Sequence, residues 1–425
     1  MEVTGYGNAD GILSDEQLSE VVASAAAGIQ PEGKKVLAIV PDRTRTCPLP
    51  KVARMLKSEL AGRANQIDFL VALGTHPPLS EENIDALFGI EPGQREQVLG
   101  ESRVFNHLWQ SPDALRKIGT LTAGQIDEIT GGLFAMEIDV TVNKLIFDYD
   151  IVMVIGPVFP HEVVGFSGGA KYFFPGICGE ELLNFFHWLG AVITNPKIIG
   201  NKNTPVRATL HAAFDMMDVQ TCALCMVVKG VDLAGLYFGE VKDAWSAAAD
   251  LSDKTHIKYT DRAYDSVLSR APEMYDDLWT GGKCMYKMEP VVADGGELII
   301  YAPHITEISY THGDVIRQIG YHTRDYFLSD WDRFKDFPWG VLAHSTHVRG
   351  IGAMEDGVEK PRVRVTLATG IPAEVCEQVN LGHRDPASID VSWWEGHEDE
   401  GRLYVPKAGE MLYRLKDPPD WQGPG

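Results

Sequence analysis

Two side chains suited to proton transfer and anion binding follow a strongly apolar run of the sequence. The run DYDIVMVIGPVF leads into PHEVVGFSGGAK, in which His161 precedes Lys171 by ten residues. Imidazole titrates near neutral pH, and a lysine ammonium pairs with carboxylates and phosphates. Their position after a predicted strand makes both residues candidates for an active site, whereas a histidine taken alone is usually exposed or simply hydrogen-bonded.

A glycine-rich turn separates these two residues. In GFSGGAK the backbone N–H groups at Gly168 and Gly169 can approach an anion closely, with Lys171 beside them. The turn lacks the spacing of a phosphate-binding P-loop. A tight turn between a strand and a helix therefore explains the glycines as well as anion binding does.

Three further motifs carry candidate ligands. In PDRTR, Arg45 can hold a carboxylate by two parallel hydrogen bonds with Asp42 orienting it, and a surface ion pair is the alternative. His187 lies in the apolar segment ELLNFFHWLGAVI, where a satisfied core histidine competes with a metal ligand. His344 and His347 have a spacing that suits two ligands on one helical face, but their surroundings lack the glutamate of a metalloprotease.

The elements that position these residues follow an alternating pattern. Buried strands are predicted for KKVLAIVPD, IDFLVALGTH and DYDIVMVIGPVF, and helices for KVARMLKSELAGRA and SEENIDALFG. This alternation is typical of a parallel sheet. Polar clusters follow three of the strands, at 42–45, 74–76 and 161–171. Because ligands bind beyond the carboxyl ends of parallel strands, we expect an active site at that edge.

The length of 425 residues exceeds what one hydrophobic core usually supports. We expect two α/β domains with mainly parallel sheets and an active-site cleft between them. The cofactor-binding and catalytic domain is predicted at 1–265, a smaller α/β domain at 266–405, and a tail that packs back on the first domain at 406–425. A helical pattern over 241–270 would join the domains, and GGELIIYAP, WGVLAHS and PRVRVTLAT predict strands of the second.

Composition narrows the class of partner. The formal net charge of -22 disfavours nucleic acid and anionic membranes, which bind clustered cations. Nothing in the sequence reads as a secretory signal or a membrane span, so a cytoplasmic protein is expected. Six cysteines suit a reducing compartment. Cys222 and Cys225 lie in an apolar run and are interpreted as core thiols rather than a metal or redox pair.

The motifs become specific in combination. Their order is D-R-T-R at Asp42, G-T-H at Gly74, N-H at Asn106, H-x-x-x-G-F-S-G-G-x-K at His161, and then His187. This order and these intervals resemble the nickel-pincer nucleotide-dependent lactate racemase family. The resemblance is strong over about residues 40–190 and looser to about residue 300.

The resemblance implies a cofactor and the residues that hold it. The family's cofactor is a pyridinium-3-thioamide-5-thiocarboxylic acid mononucleotide, which grips nickel through two sulfur arms and a ring carbon. Lys171 resembles the lysine that joins the cofactor through a thioamide, and His187 resembles the histidine that completes the nickel coordination. Asp42, Gly168 and Gly169 are then expected to contact the cofactor. Enzymes that build the cofactor are implied as loading partners.

The resemblance also implies the catalytic residues and the reaction. His107 and His161 look like the paired acid/base histidines, and Arg45 and Lys283 look like the cations that hold the substrate. The implied reaction is racemisation or epimerisation at C2 of a 2-hydroxy acid by proton-coupled hydride transfer to the cofactor. A racemase acts on both mirror images, so two acid/base groups are expected.

Two departures from the family pattern bear on the substrate. Trp279 and Thr280 replace the tyrosine and glutamine of the lactate enzyme, and Pro77 replaces an arginine that often follows G-T-H. Such pocket changes shift preference by about 1–3 kcal/mol. We therefore expect a substrate other than lactate, namely a larger aliphatic, aromatic or sugar acid.

Two other classes of function remain open. A nicotinamide-dependent 2-hydroxy acid dehydrogenase would need a G-x-G-x-x-G turn after an early strand, which the first βα units lack. A non-catalytic protein that binds the nickel-pincer cofactor or a carboxylate is the second alternative. Loss of an acid/base histidine would favour it, whereas His107 and His161 are both present.

Overall fold

The computed structural model describes residues 1–44, 46–74 and 76–422. Mixed α/β architecture with mainly parallel sheets confirms the predicted fold class. The described strands are β1 Thr4–Gly7, β2 Lys35–Val40, β3 Gln66–Val71, β4 Val104–Asn106, β5 Leu115–Leu121, β6 Ile138–Asn143, β7 Ile151–Pro157, β8 Pro160–His161, β9 Gly165–Phe166, β10 Gln220–Lys229, β11 Asp232–Gly239, β12 Ile257–Thr260, β13 Tyr264–Arg270, β14 Val292–Ala302, β15 Gly352–Glu355, β16 Val358–Pro361, β17 Arg364–Thr369, β18 Gly382–His383, β19 Arg402–Val405 and β20 Leu412–Leu415.

The helices are mostly short, and within the described ranges none is long and apolar enough to cross a membrane. They are α1 Asp15–Gly28, α2 Leu49–Leu60, α3 Glu81–Phe88, α4 Arg95–Leu99, α5 Ala123–Thr130, α6 Glu180–Ile193, α7 Asn195–Ile198, α8 Pro205–Phe214, α9 Val241–His256, α10 Leu278–Gly281, α11 Lys283–Tyr286, α12 Gly313–Ile319, α13 Arg324–Ser329, α14 Trp331–Phe334, α15 Trp339–Arg349 and α16 Ala373–Gln378.

The chain forms two compact units that interleave along the sequence. The first unit contains 1–159, 166–183 and 207–255, and the second contains 160–165, 184–206 and 256–425. Two short segments that precede residue 256 therefore fall in the second unit, whereas the sequence predicts one boundary after residue 265. Strand β20 lies in the second unit, where it pairs in parallel with β12.

The first unit is built on a seven-stranded sheet in the order β1-β11-β10-β7-β2-β3-β4. The strands from β10 to β4 run parallel, and Ala38 of β2 lies opposite both Met153 of β7 and Phe69 of β3. Strands β2 and β7 are almost entirely buried because they are apolar on both faces, as parallel strands covered by helices are. The carboxyl ends of β2, β3, β4 and β7 therefore reach the same edge.

The second unit has a five-stranded parallel sheet in the order β18-β17-β14-β13-β19. Leu268, Ile299, Ala368 and Trp394 form a buried cluster on it. A parallel pair, β12 and β20, and an antiparallel hairpin, β15 and β16, complete the strands described for this unit. The predicted strands GGELIIYAP and PRVRVTLAT are confirmed as β14 and β17.

Two predicted elements are wrong. WGVLAHS, predicted as a strand, begins helix α15, in which residues 340–348 are all buried. A short apolar run does not separate a buried helix from a buried strand by periodicity, so tertiary burial decided the outcome. The helical pattern over 241–270 ends at His256, because KYTDRAYDSVLSR forms β12 and β13.

Asp68 provides a test of the packing of the first unit. Its carboxylate is fully buried and accepts hydrogen bonds from the Arg103 backbone N–H at 2.7 Å, the Arg103 guanidinium and the Tyr149 hydroxyl. Asp68→Ala leaves these donors without their acceptor, so we expect the free energy of unfolding to fall by about 2 kcal/mol or more. Urea denaturation measures the change.

Asp15→Ala, which removes an exposed partner of Lys51, is the control and should have little effect on the free energy of unfolding. An equal loss of stability in the two variants would contradict the assignment of Asp68 as a buried acceptor that stabilises the first unit.

Candidate functional site

Asp42 and His76 meet at the carboxyl ends of β2 and β3. The Asp42 carboxylate contacts Nδ1 of His76, and its other oxygen accepts hydrogen bonds from the backbone N–H and hydroxyl of Thr44 at 3.0 and 2.7 Å. Asp42 is buried, whereas about 29% of the His76 side chain is exposed. Asp42 therefore orients His76 in the structure. Arg45, which the sequence pairs with Asp42, lies outside the described residues.

The turn after β3 is joined by hydrogen bonds to the segment that carries Lys171. The backbone N–H of Gly74 donates to the Gly176 carbonyl at 3.0 Å, and the Gly176 N–H donates to the Lys171 carbonyl at 3.0 Å. His107, which follows β4, reaches the same segment at Cys178. The structure thus joins Gly74 and His107 to the segment 171–178 within the first unit.

Both ring nitrogens of His107 are engaged within the protein. Nε2 lies 3.0 Å from the Cys178 carbonyl oxygen, and Nδ1 lies 3.1 Å from the side-chain nitrogen of Asn143. The Asn143 side-chain oxygen accepts the Leu145 N–H at 3.0 Å, which fixes the orientation of its amide. The amide N–H therefore donates to Nδ1, and the single ring proton of neutral His107 lies on Nε2.

These contacts have a consequence for proton transfer. His107 is fully buried, and burial lowers its pKa to about 4, although its hydrogen bond to the Cys178 carbonyl opposes the shift. Protonation at Nδ1 would also break the bond from Asn143. In the described conformation His107 is held neutral, and proton exchange with a substrate requires it to leave one of these two partners.

The glycine-rich turn is tightly packed. Gly168 and Gly169 have φ angles of +84° and +57°, which favour glycine. A Cβ atom at Gly168 would lie 2.5 Å from the Val158 side chain, and one at Gly169 would lie 2.6 Å from Cβ of Trp245. Packing thus requires both glycines, in agreement with the tight-turn interpretation. Anion binding at the turn stays a prediction.

Lys171 lies in a short 3₁₀ turn, Gly169–Tyr172, directly after these glycines and is half-buried. Ser167 fixes the backbone at the start of GFSGGAK, because its hydroxyl accepts the Phe159 N–H at 2.9 Å. The Trp245 indole donates to the Ser167 carbonyl at 2.9 Å. The backbone that leads to Lys171 is therefore held at Ser167 by hydrogen bonds with Phe159 and Trp245.

Arg207 is a residue of this site that the sequence does not reveal. It is buried in the first unit, donates to the Phe166 carbonyl, and lies with its guanidinium 4.1 Å from the Trp245 ring centre. Burial lowers its pKa to about 9. A buried cation directly under the glycine-rich turn favours anions there. Arg207 lies in PVRATLHAAF, where no motif marks it.

His161 and Glu162 lie in the second unit. The Val163 N–H donates to Nδ1 of His161 at 3.1 Å, and a carboxylate oxygen of Glu162 lies 3.4 Å from the same nitrogen. Both side chains are largely buried. The structure therefore places a carboxylate beside the predicted acid/base histidine, which the sequence reading missed although the two residues are adjacent.

The predicted substrate residues of the second unit occupy two short helices. Lys283, the first residue of α11, is buried, and its ammonium lies 4.9 Å from the Tyr275 ring centre. Trp279 of α10 packs against two imidazoles, with ring centres 4.3 Å from His312 and 4.0 Å from His344. Trp279 is therefore held as part of an aromatic cluster. Thr280, next to it, is buried and its N–H donates to Asp277 at 3.0 Å.

His187 lies on helix α6 and is half-buried. The buried His347 of α15 lies close enough to interact electrostatically with both His187 and Glu162. Burial lowers the pKa of His347 to about 4, and it holds the pKa of His344 well below its ordinary value. Within the described residues no three His, Cys, Asp or Glu side chains are grouped as metal ligands. Cys222 and Cys225 are confirmed as buried core thiols on β10.

Polar side chains that follow parallel strands at one edge of the sheet make the first unit an α/β unit with a candidate binding site. The profile of the lactate racemase N-terminal domain matches residues 15–199. A Thermotoga maritima protein of known structure is 34% identical, with a TM-score of 0.87 over 95% of this chain and 99% of that one. Over the matched region the chain is a homologue of the lactate racemase family.

Two characterised relatives are more distant. The lactate racemase of Thermoanaerobacterium thermosaccharolyticum is 29% identical over 39% of this chain, and that of Lactiplantibacillus plantarum is 23% identical over 63%. The matches span only 37% and 59% of those relatives' own lengths. The lactate racemase apoprotein of T. thermosaccharolyticum shares the fold, with a TM-score of 0.69 at 18% identity over 93% of both chains.

The hydrogen bond from Asn143 gives a testable consequence for His107. Asn143→Asp keeps the oxygen that accepts the Leu145 N–H but replaces the donor to Nδ1 with an acceptor. Because a carboxylate stabilises the protonated imidazole, we expect the pKa of His107 to rise by at least about 1 unit from about 4. Histidine NMR titration measures it.

Asn65→Asp is the matched control, because Asn65 is exposed in the same unit and its side chain only donates to the Gly33 carbonyl. It should leave the pKa of His107 unchanged. An unchanged pKa in Asn143→Asp would show that the amide does not determine the tautomer.

Proposed function

We propose that this protein is a racemase or epimerase that interconverts the C2 stereoisomers of a 2-hydroxy acid with a nickel-pincer nucleotide. The main support is that hydrogen bonds join Gly74 and His107 to the segment that begins with Lys171, inside the region that matches the lactate racemase N-terminal domain. When bound, the cofactor supplies an acceptor and donor for the hydride of C2.

The residues present fit such a cofactor. In the proposal Lys171 carries it covalently, and the packed turn at Gly168 and Gly169 limits where the lysine can reach. The buried cation of Arg207 below the turn suits the anionic nucleotide. His187 is proposed as the one protein ligand to nickel. This agrees with the donor set, since soft sulfur and carbon donors of the pincer provide the rest and Ni(II) accepts them with imidazole.

The two proposed acid/base histidines, His161 and His107, differ in the partners that their ring nitrogens have for proton exchange. His161 lies beside a carboxylate that stabilises its protonated form. His107 has to exchange a partner at Nδ1 or Nε2 before it can move a proton. We therefore propose that His107 becomes active only after the hydrogen bonds around Cys178 rearrange.

The substrate is bound, in the proposal, by cations and shaped by aromatic groups. Lys283 and Arg45 hold its carboxylate and hydroxyl. Trp279 presents a ring that His312 and His344 hold in place, with Thr280 next to it. Such a rigid wall in place of the tyrosine and glutamine of the lactate enzyme supports a substrate other than lactate, namely a larger aliphatic, aromatic or sugar acid.

A non-catalytic protein that binds the cofactor or a carboxylate is the second candidate. The engagement of both His107 nitrogens is the observation that favours it, because a racemase needs two acid/base groups. Nickel retention without turnover would support it. In every candidate that holds the cofactor, the cofactor-building enzymes load the protein in the cytoplasm, where thiols such as its six free cysteines stay reduced.

Loading the protein tests the proposal. Produced together with the enzymes that build the cofactor, it should contain about one nickel per chain, carry added mass on the Lys171 peptide and interconvert at least one 2-hydroxy acid. Elemental analysis, peptide mass spectrometry and chiral chromatography over a panel of acids measure these outcomes.

Lys171→Ala should lose the added mass and most of the turnover. Lys144→Ala is the matched control, because Lys144 is an exposed lysine of the same unit. Absence of both nickel and turnover in the loaded wild type would reject the proposal.

A further inference from the structure

The segment that carries His161 contains two partners for one ring nitrogen. Nδ1 of His161 accepts a hydrogen bond from the Val163 N–H at 3.1 Å. A carboxylate oxygen of Glu162 lies 3.4 Å from the same atom. The side chains of His161 and Glu162 are only 9% and 14% exposed, so water competes weakly for either contact.

The two partners suit different protonation states of His161. A neutral imidazole with its proton on Nε2 has a lone pair on Nδ1, which the Val163 N–H can bind. A protonated imidazole carries a hydrogen on Nδ1 and can no longer accept that bond. The Glu162 carboxylate is then the acceptor within reach. An acid/base residue that alternates between both states needs a partner in each of them.

The charges around Glu162 keep it available as that acceptor. Burial raises the pKa of Glu162, but the hydrogen bond from its own backbone N–H and the charges of Lys283 and Lys287 outweigh burial, so the pKa lies below its ordinary value. Glu162 therefore stays ionised at neutral pH.

The titratable neighbours of Glu162 come from the region of helix α11 and from helix α15, as well as from its own segment. Lys283 begins α11, and Lys287 follows this helix with its ammonium 3.1 Å from the Glu410 carbonyl. His347 belongs to α15, and burial keeps it neutral. His187 acts electrostatically on His347. Glu162 is thus a carboxylate that contacts the histidine and interacts electrostatically with the two lysines.

We infer that Glu162 is a positioning residue for the acid/base chemistry of His161. It stabilises the protonated imidazole through Nδ1 and pairs electrostatically with the buried ammonium of Lys283. The residue that moves the proton and the residue that holds the substrate are thereby linked through one carboxylate. The catalytic meaning of this contact rests on the proposed function, whereas the contact itself does not.

Titration of His161 in the full-length protein without added cofactor tests the contact directly. Since an opposite charge favours the protonated form, Glu162→Gln should lower the pKa of His161 by about 1 unit. Histidine NMR measures it, with the His161 signal assigned by its loss in His161→Gln.

Glu359→Gln is the matched control. Glu359 is an equally buried carboxylate of the same unit, and its partner is His322 at 2.8 Å. The control should leave the pKa of His161 unchanged. An unchanged pKa in Glu162→Gln, in a protein whose circular dichroism matches the wild type, would overturn the inference.

A second measurement separates positioning from a merely structural role. In the cofactor-loaded enzyme, Glu162→Gln should shift the pH profile of kcat/KM toward lower pH and reduce its maximum, and Glu162→Asp should restore part of both. Reduced activity with an unshifted profile would overturn the inference. If the loaded wild type shows no turnover, the proposed function fails, and the NMR titration still decides whether Glu162 controls His161.

Discussion

Parallel pairing of β7, β2, β3 and β4 is the arrangement on which the candidate site of the first unit depends. Strands β2 and β7 are apolar and almost entirely buried, so their register is determined by the core. Asp42, Gly74 and His107, which follow β2, β3 and β4, therefore lie at one edge of the sheet. The segment from Lys171 to Cys178 then crosses that edge and forms hydrogen bonds with two of them.

Burial has opposite results for two titratable groups, and local partners explain the difference. His107 is buried against an amide and a carbonyl, neither of which stabilises a proton on Nδ1, so it is neutral. Glu162 is buried among lysines and remains ionised. Desolvation alone would neutralise both groups. The same fold thus holds one histidine inactive in the described conformation and gives the other a charged partner.

Much of the first unit could be predicted from the sequence. Long apolar runs with helical segments between them identify a parallel sheet, and its strand ends locate the motifs. The histidine tautomer could not be predicted, because it follows from contacts of His107 with Asn143 and Cys178, which are 36 and 71 residues away in the chain. Arg207 was missed for the same reason.

The second unit was harder to predict. WGVLAHS has too few residues to show a period, and the burial of its residues 340–345 favours neither a strand nor a helix. The interleaving of the two units also leaves no trace in composition, because segments 160–165 and 184–206 carry no linker signal. Lys283 and Trp279 were found only through the family resemblance.

The most direct test of the account follows the hydrogen at C2 of the substrate. A single stereoisomer of a converted 2-hydroxy acid, deuterated at C2, is incubated with the nickel-loaded protein in ordinary water. Hydride transfer to the cofactor and back predicts that the opposite stereoisomer forms with deuterium still at C2, as read by mass spectrometry. A product that carries hydrogen from water at C2 would contradict the account, because it would mean that the carbon loses a proton rather than a hydride.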